Sequence, residues 1–351
     1  MPLQIKAAVL GAGYMGSAIT FPLSDNHIKV NLWGTWLDDE LIESSIKGFH
    51  PKLKKALPGN VCLYYWQDLG TALEDVNVIF IAVTSEGFVN IFGKILDNID
   101  KDKDYTFFKL TKGFVEYRGK VVRATEAAFD IYAEKFPEKE LKIASVGGPV
   151  RAVDLSCRIA SASMYGLSDR KIKDTARSFC TDYYRIFTEN DIMGVELCSS
   201  FKNIYAMAAG ICDGLYRGQK EGFYYNTVAF LFNQACIEIA EIVQAAGGNS
   251  RTAFDLAGIG DLHVTSAAGR NRRFGEMVGK GMDGQAAFNE MYAQGEYGEG
   301  YIALKLAIPW INDKIPGCAE NTPLLSSLYN IIFNKCEPSG EFAKLISNLG
   351  G

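Results

Sequence analysis

Lys202 stands in the segment 196–210, ELCSSFKNIYAMAAG, with apolar residues on both sides of it. A helix made from this segment is largely buried, and lysines are almost never buried unless paired. Taking an ammonium out of water lowers its proton affinity, which suits it to proton transfer near neutral pH. The alternative is a stem that carries its charge out to a helix edge. Asn203 beside it can orient a partner. A second segment, 258–275, reads GIGDLHVTSAAGRNRRFG and holds Asp261, Thr265, Arg270 and Asn271. Asp261 is the candidate partner that tunes the charge of Lys202. Arg270 and Asn271 with Thr265 suit a phosphate, as a planar cationic fork backed by neutral donors. Arg272 and Arg273 read as charges of a basic surface loop. Lys112-Gly113 follows the apolar run 106–110 and so falls at a strand's C-terminal edge, where open α/β sheets bind ligands. A lysine there polarises a carbonyl or contacts a phosphate, unless it is only a solvated turn residue.

A fourth cluster is made of glycine. Gly11-Ala12-Gly13-Tyr14-Met15-Gly16 matches G-x-G-x-x-G directly after the apolar run 5–10, IKAAVL. The first glycine permits a tight turn, the second lets backbone approach a pyrophosphate, and the third lets a helix pack close to a strand. The anion then sits over a helix N-terminus, where free N–H groups and the helix dipole favour it. A dinucleotide site is expected, with Gly11, Gly13, Tyr14, Met15, Gly16 and Trp33 as its contacts. The stretch Trp33-Gly34-Thr35-Trp36 holds no acid to bind a ribose 2′-OH, and Asp38 and Asp39 come slightly late. It holds no Arg or Lys for a 2′-phosphate either, so NAD is expected and NADP stays open.

The elements that must position these groups alternate through the first half. Strands are expected at 5–10, 29–33, 61–65, 77–83, 106–110 and 143–146. Helices are expected from 17, with a kink at Pro22, and at 41–48, 88–98 and 120–136. Strands alternating with helices imply right-handed βαβ units. After about residue 190 the pattern turns helical, at 194–215, 227–246, 284–293, 302–308 and 324–333. The expected fold is α/β: a doubly wound Rossmann-type sheet over 1–192 for the dinucleotide, then a mainly α-helical domain over 193–351 for substrate and catalysis. Between two such halves a cleft is the common place for a ligand.

Composition narrows the class. The 351 residues are 48% hydrophobic and 22% charged, with net charge −5 and pI near 5.4. That excludes a disordered chain and argues against a nucleic-acid-binding surface spread over the whole protein. Eight cysteines form no C-x-x-C pair and only three histidines occur, so no metal site is expected. The cysteines read as core filler in a reducing compartment. The opening MPLQIKAAVLGAGYMG runs straight into strand and glycine loop without signal-peptide features, and no stretch approaches the roughly 18 uninterrupted apolar residues of a membrane span. A cytoplasmic homodimer without membrane insertion is expected.

Taken together, the four motifs resemble the NAD-dependent glycerol-3-phosphate dehydrogenase family. The GAGYMG loop, Lys112-Gly113, the F-K-N of Phe201-Lys202-Asn203 continuing to Gly210, and the G-x-G-D-L…T…G-R-N-R of 258–272 occur in the family's order and spacing. The resemblance covers most of the chain. It implies that dihydroxyacetone phosphate and NADH give glycerol 3-phosphate, a phospholipid precursor, with Lys202 protonating the carbonyl oxygen. It further implies catalytic roles for Lys112 and Asp261, and substrate contacts from Asn203, Thr265, Arg270, Asn271 and Lys112. Arg270 and Glu299, the latter in a looser match, are implied at the cofactor. The loop Gly147 to Asp154, GGPVRAVD, departs from the family at Arg151 and Asp154. A larger ketose or polyol phosphate as substrate, or a sensor that binds dinucleotide without turnover, are the competing readings. The connection 217–226, RGQKEGFYYN, is expected to line or cover the pocket.

Overall fold

Short apolar runs ending in turn residues form β1 (Lys6–Leu10), β2 (Lys29–Trp33), β3 (Val61–Tyr64), β4 (Val78–Ile81) and β5 (Thr106–Lys109). A hairpin of β6 (Phe114–Tyr117) and β7 (Lys120–Arg123) follows, then β8 (Lys142–Gly147), β9 (Ser161–Leu167) and β10 (Tyr184–Glu189). The computed structural model describes residues 5–217 and 224–349. It divides into two compact units, Met1–Ile192 and Met193–Gly351. All ten strands belong to the first.

Eight strands make one sheet in the order β10-β9-β8-β5-β4-β1-β2-β3. From β3 to β8 neighbouring strands are parallel, and the chain reverses direction across the sheet between β1 and β4. This doubly wound order puts the first turn at the switch point where ligands bind. Helices α1 (Tyr14–Asp25), α2 (Asp39–Ile46), α3 (Leu69–Leu73), α4 (Ser85–Asn98), α5 (Ala124–Lys135), α6 (Ala152–Ser156) and α7 (Ile172–Arg177) complete the unit. Period-2 alternation sends Val9, Phe80 and Phe108 into one core and Leu10, Ile79 and Phe107 into the other. Both faces are thus apolar, as a sheet covered on both sides requires.

Three expectations need correction. The helix expected over 120–136 begins only at Ala124. Lys120-Val-Val-Arg123 instead pairs antiparallel with Phe114–Tyr117. The two residues between them, Arg118 and Gly119, have φ of +52° and +73°, the left-handed pair a two-residue hairpin demands. Strands β9 and β10 were not foreseen, because Ser- and Ala-rich SASMYGL carries little strand signal. β9 also runs antiparallel to β8, so the sheet is not wholly parallel. Helix α1 continues past Pro22 to Asp25, with the proline removing one backbone N–H from its interior.

The second unit holds α8 (Ile192–Tyr216), α9 (Tyr225–Ala245), α10 (Asp261–Ala267), α11 (Arg270–Gly279), α12 (Gly284–Ala293), α13 (Glu299–Lys314), α14 (Pro323–Phe333) and α15 (Pro338–Leu349). Residues 218–223 of the Tyr-rich connection lie outside the described residues. Helix α9 is long and apolar enough to cross a membrane, with mean hydropathy 1.3. Its buried Glu238, however, accepts hydrogen bonds from Tyr205, Gln234 and the backbone N–H groups of Leu324 and Leu325. Those contacts are a core helix's, and they cap the otherwise unpaired N–H groups that open α14. Cysteines differ from expectation too: Cys62 and Cys157 are exposed, Cys62 on edge strand β3 and Cys157 just after α6.

Candidate active site

In the first unit, β1 ends at Leu10 and α1 starts at Tyr14, so the turn between them is Gly11-Ala12-Gly13 alone. At Gly11, φ +110°, an added Cβ would lie 2.6 Å from the Ala82 carbonyl oxygen. At Gly16 it would lie 1.9 Å from the Gly11 oxygen, so only glycine lets α1 rise this close to β1. Gly13 has nothing within 4 Å of that position. Open room above the turn, with the first N–H groups of α1 beneath it, fits the pyrophosphate of a dinucleotide. Tyr14 is exposed and Met15 half-buried at this mouth.

Trp33 is not an available cofactor contact. It is buried in the core, and its indole N–H donates to the Trp66 carbonyl at 3.2 Å. The exposed aromatic at this edge is Trp36, with the Lys94 ammonium 5.3 Å from its ring centre. Asp38, late along the chain, is not late in space. The Asp38 N–H reaches Thr35 O at 2.8 Å, and this turn folds the carboxylate back. Its Oδ2 accepts from the Ala12 N–H at 3.3 Å and from Thr35 N–H and Oγ1 at 3.0 and 2.9 Å. His50, which no sequence signal singled out, meets the same turn from the other side.

Lys112 is half-buried in the turn from β5 to β6. The backbone just before it is fixed twice. Thr111 Oγ1 donates to the Val83 carbonyl at 2.9 Å, and the fully buried Lys109 donates to the Thr111 carbonyl at 2.7 Å. The loop after β8 turns at Gly148, φ +117°, and leaves Arg151 exposed, 3.9 Å from Asp154. Glycine turn, Trp36, Lys112 and Arg151 all follow the C-terminal ends of parallel strands.

The second unit gathers the remaining residues. Lys202 is only 5% exposed, within a stretch of α8 that is buried throughout from Gly194 to Asp213. Its ammonium is ion-paired with Asp261 and donates to Thr265 Oγ1 at 2.9 Å. One π-helical turn, Leu256–Gly260, delivers Asp261 to the start of α10, which places Thr265 one turn further on. A second set adjoins through Asn203. Its amide donates to Glu299 at 3.0 Å and its carbonyl accepts from Asn271 at 2.9 Å. Asn271 in turn accepts the Gly300 N–H at 2.8 Å. Glu299 also holds the half-exposed Arg270 at 2.7 Å.

The segment 258–275 is helical, not a surface loop, and Arg272 is no mere surface charge. It donates to Asp213 at 2.7 Å and to the Ser266 carbonyl at 2.6 Å. Arg273 does stay at the surface, 2.9 Å from Glu296. The glycines that suggested a loop serve helix contact instead. A Cβ on Gly275 would lie 2.2 Å from the Met207 oxygen, and one on Gly210 would lie 1.9 Å from the Arg272 oxygen.

The description "NAD-dependent glycerol-3-phosphate dehydrogenase N-terminus" matches residues 6–172, and the corresponding C-terminus matches residues 191–342. The NADP(+)-dependent glycerol-3-phosphate dehydrogenase of Archaeoglobus fulgidus is 31% identical over 329 residues, 93% of this chain and 94% of that one. A glycerol-3-phosphate dehydrogenase [NAD(P)+] of Carboxydothermus hydrogenoformans is 32% identical over 79% of each chain. Among solved structures, glycerol-3-phosphate dehydrogenase from Coxiella burnetii superposes with a TM-score of 0.80 at 28% identity, covering 98% of this chain and 99% of the other. The yeast enzyme, from Saccharomyces cerevisiae, shares the fold with a TM-score of 0.77 at 21% identity, over 96% and 98%. With both halves matched and relatives aligned along nearly its whole length, the chain belongs to the NAD-dependent glycerol-3-phosphate dehydrogenase family.

Proposed function

We propose that the protein catalyses the reversible NAD(P)-dependent reduction of dihydroxyacetone phosphate to sn-glycerol 3-phosphate, with Lys202 as proton donor and acceptor. The observation that carries this is the buried Lys202 ammonium paired with Asp261 and Thr265, in a chain whose relatives bear that enzyme's name. The residues of the glycine turn, Gly11, Gly13, Tyr14, Met15 and Gly16, hold the dinucleotide, which supplies the hydride for C2 of the ketone when bound. Lys202 gives its proton to the carbonyl oxygen as negative charge grows there, and takes it back in the reverse direction. Asp261 keeps the ammonium oriented and charged until transfer. Thr265 accepts a second hydrogen bond from the nitrogen and, with Asn203 and Asn271, contacts substrate hydroxyl and carbonyl groups. Arg270 binds the phosphate through its fork, in competition with Glu299. Glu299 thereby sets where Arg270 and Asn203 point, and it and Arg270 border the dinucleotide. Lys112 supplies the second catalytic cation at the sheet edge. The units 1–192 and 193–351 serve dinucleotide and substrate respectively.

A homodimer in a reducing, cytoplasmic compartment, feeding phospholipid synthesis, completes the proposal. All eight cysteines are free, which supports the compartment. Oxidation of NADH and NADPH by the full chain, with dihydroxyacetone phosphate against larger ketose phosphates, tests the reaction. Turnover confined to a larger ketose phosphate would overturn the substrate. Sedimentation at micromolar concentration tests the dimer.

A further inference from the structure

The glycine turn is short, and two of its three residues are the most flexible type, so its binding shape must be held from outside. The one side-chain-bearing residue, Ala12, has both its backbone polar groups taken by distant partners. Asp38 accepts its N–H at 3.3 Å. Its carbonyl oxygen receives the Ser17 hydroxyl at 3.1 Å and faces His50 Nε2 at 3.1 Å.

His50 is wholly buried, and its bonds define its proton. Nδ1 accepts the Leu53 N–H at 3.2 Å, so the proton of the neutral ring is on Nε2. Ser17 Oγ lies 2.8 Å from that nitrogen and uses its own hydrogen on Ala12. The Nε2–H is therefore shared between Ser17 Oγ and the Ala12 carbonyl. The backbone that carries the ring is itself fixed, because His50 N–H donates to Lys55 O and Lys54 N–H donates to His50 O, both at 2.8 Å.

We propose that His50 is a positioning residue for dinucleotide binding: with Ser17 it clamps the Ala12 carbonyl, and so holds the glycine turn in the shape that leaves the N-terminus of α1 open to a pyrophosphate. Such preorganisation spares the ligand the entropy of ordering the turn. An apolar side chain would fill the same space but leave the carbonyl one donor short.

This rests on the dinucleotide reading above, so binding is measured apart from turnover. NADH fluorescence on titration with full-length protein gives Kd, and steady-state rates give kcat and KM. The hydrogen bond lost in His50→Leu is expected to raise Kd and KM for NADH by about three- to tenfold. The loss falls on these constants rather than on kcat or the KM for dihydroxyacetone phosphate. His50→Gln, whose amide N–H reaches the same carbonyl, is expected to recover most of the affinity. A His50→Leu protein that binds NADH like wild type overturns the proposal. So does one whose loss is equalled by His50→Gln, because returning a donor to the Ala12 carbonyl would then restore nothing. Should His50→Leu not unfold cooperatively, Ser17→Ala takes its place with the same expectation for NADH and the same overturning result. Wild-type protein that binds neither NADH nor NADPH would sink the dinucleotide reading itself, a result distinct from any variant's.

Discussion

At the scale of single residues, Lys202 carries the chemistry and its neighbours carry orientation. Lys202→Ala removes the proton source and leaves every residue of the glycine turn in place. Its kcat is expected to fall by roughly 10²–10⁴, with NADH affinity unchanged in a fluorescence titration. Arg270 makes a different prediction. Arg270→Lys keeps the charge and loses the planar fork, so the KM for dihydroxyacetone phosphate is expected to rise while kcat changes less. An unchanged KM would mean that the phosphate is held elsewhere. The residue types behind both predictions were legible in the sequence, since a lysine among apolar neighbours and an arginine beside asparagine are informative without coordinates. Their partners were only half legible. Asp261 was found as the mate of Lys202, whereas the bonds from Glu299 to Asn203 and Arg270 span 96 and 29 positions and leave no local mark. Asp38 was discounted on spacing, because a turn that folds an acid back is invisible to a count along the chain.

At the scale of elements, the glycines of 258–275 were the most misleading signal. They read as loop punctuation, yet they let α11 lie against α8 backbone to backbone. Gly275 and Gly279 face the Met207 and Ile211 oxygens, each 2.2 Å from where a Cβ would stand. Helices that touch through carbonyl oxygens cannot yield to a methyl by turning a side chain. Gly275→Ala is therefore expected to cost about 1–3 kcal/mol or more, as overpacking does. Because α8 carries Lys202 and α11 carries Arg270, kcat should drop along with Tm, and thermal unfolding with parallel rate measurements checks both. Other elements were read well where pattern and context agreed. β1, β2, β4 and α8 are long or strongly apolar, and their periodicity suffices. β9 and β10 were lost because alternation in Ser-, Ala- and Tyr-containing strands is weak, and β7 because KVVR runs directly into α5.

At the scale of the whole molecule, the two units carry buried titratable groups whose responses to acid have opposite sign. In the first unit burial holds His50 below its ordinary 6.5. Lys52 pushes the same way, and Asp38 and the Ala12 carbonyl oppose it. As pH falls through 6.5 the unfolded chain takes up a proton that the folded unit refuses, so stability present above that pH is lost. In the second unit burial holds Glu238 above its ordinary 4.5, against the hydrogen bonds from Gln234, Leu324, Leu325 and Tyr205. There the folded state binds the proton more readily. Its contribution is full below 4.5 and is lost as pH rises through the folded value, so on acidification from neutrality this group favours its unit, whereas Glu276, Asp283 and Glu337, held low by Lys280, Lys335 and Ser339, oppose it only as their ordinary values of 4.5, 3.8 and 4.5 are approached. Amide hydrogen exchange followed separately in residues 5–192 and 193–349, from pH 7 to 5 and corrected for the intrinsic exchange rate, should show protection weakening in the first range and strengthening in the second. His50→Gln is expected to flatten the first trend and Glu238→Gln the second, each leaving the other unit's slope in place. Equal slopes in both ranges, or a His50→Gln protein that keeps the acid loss, would show that other groups govern the pH response. The charges that face these two buried groups would then need a different account.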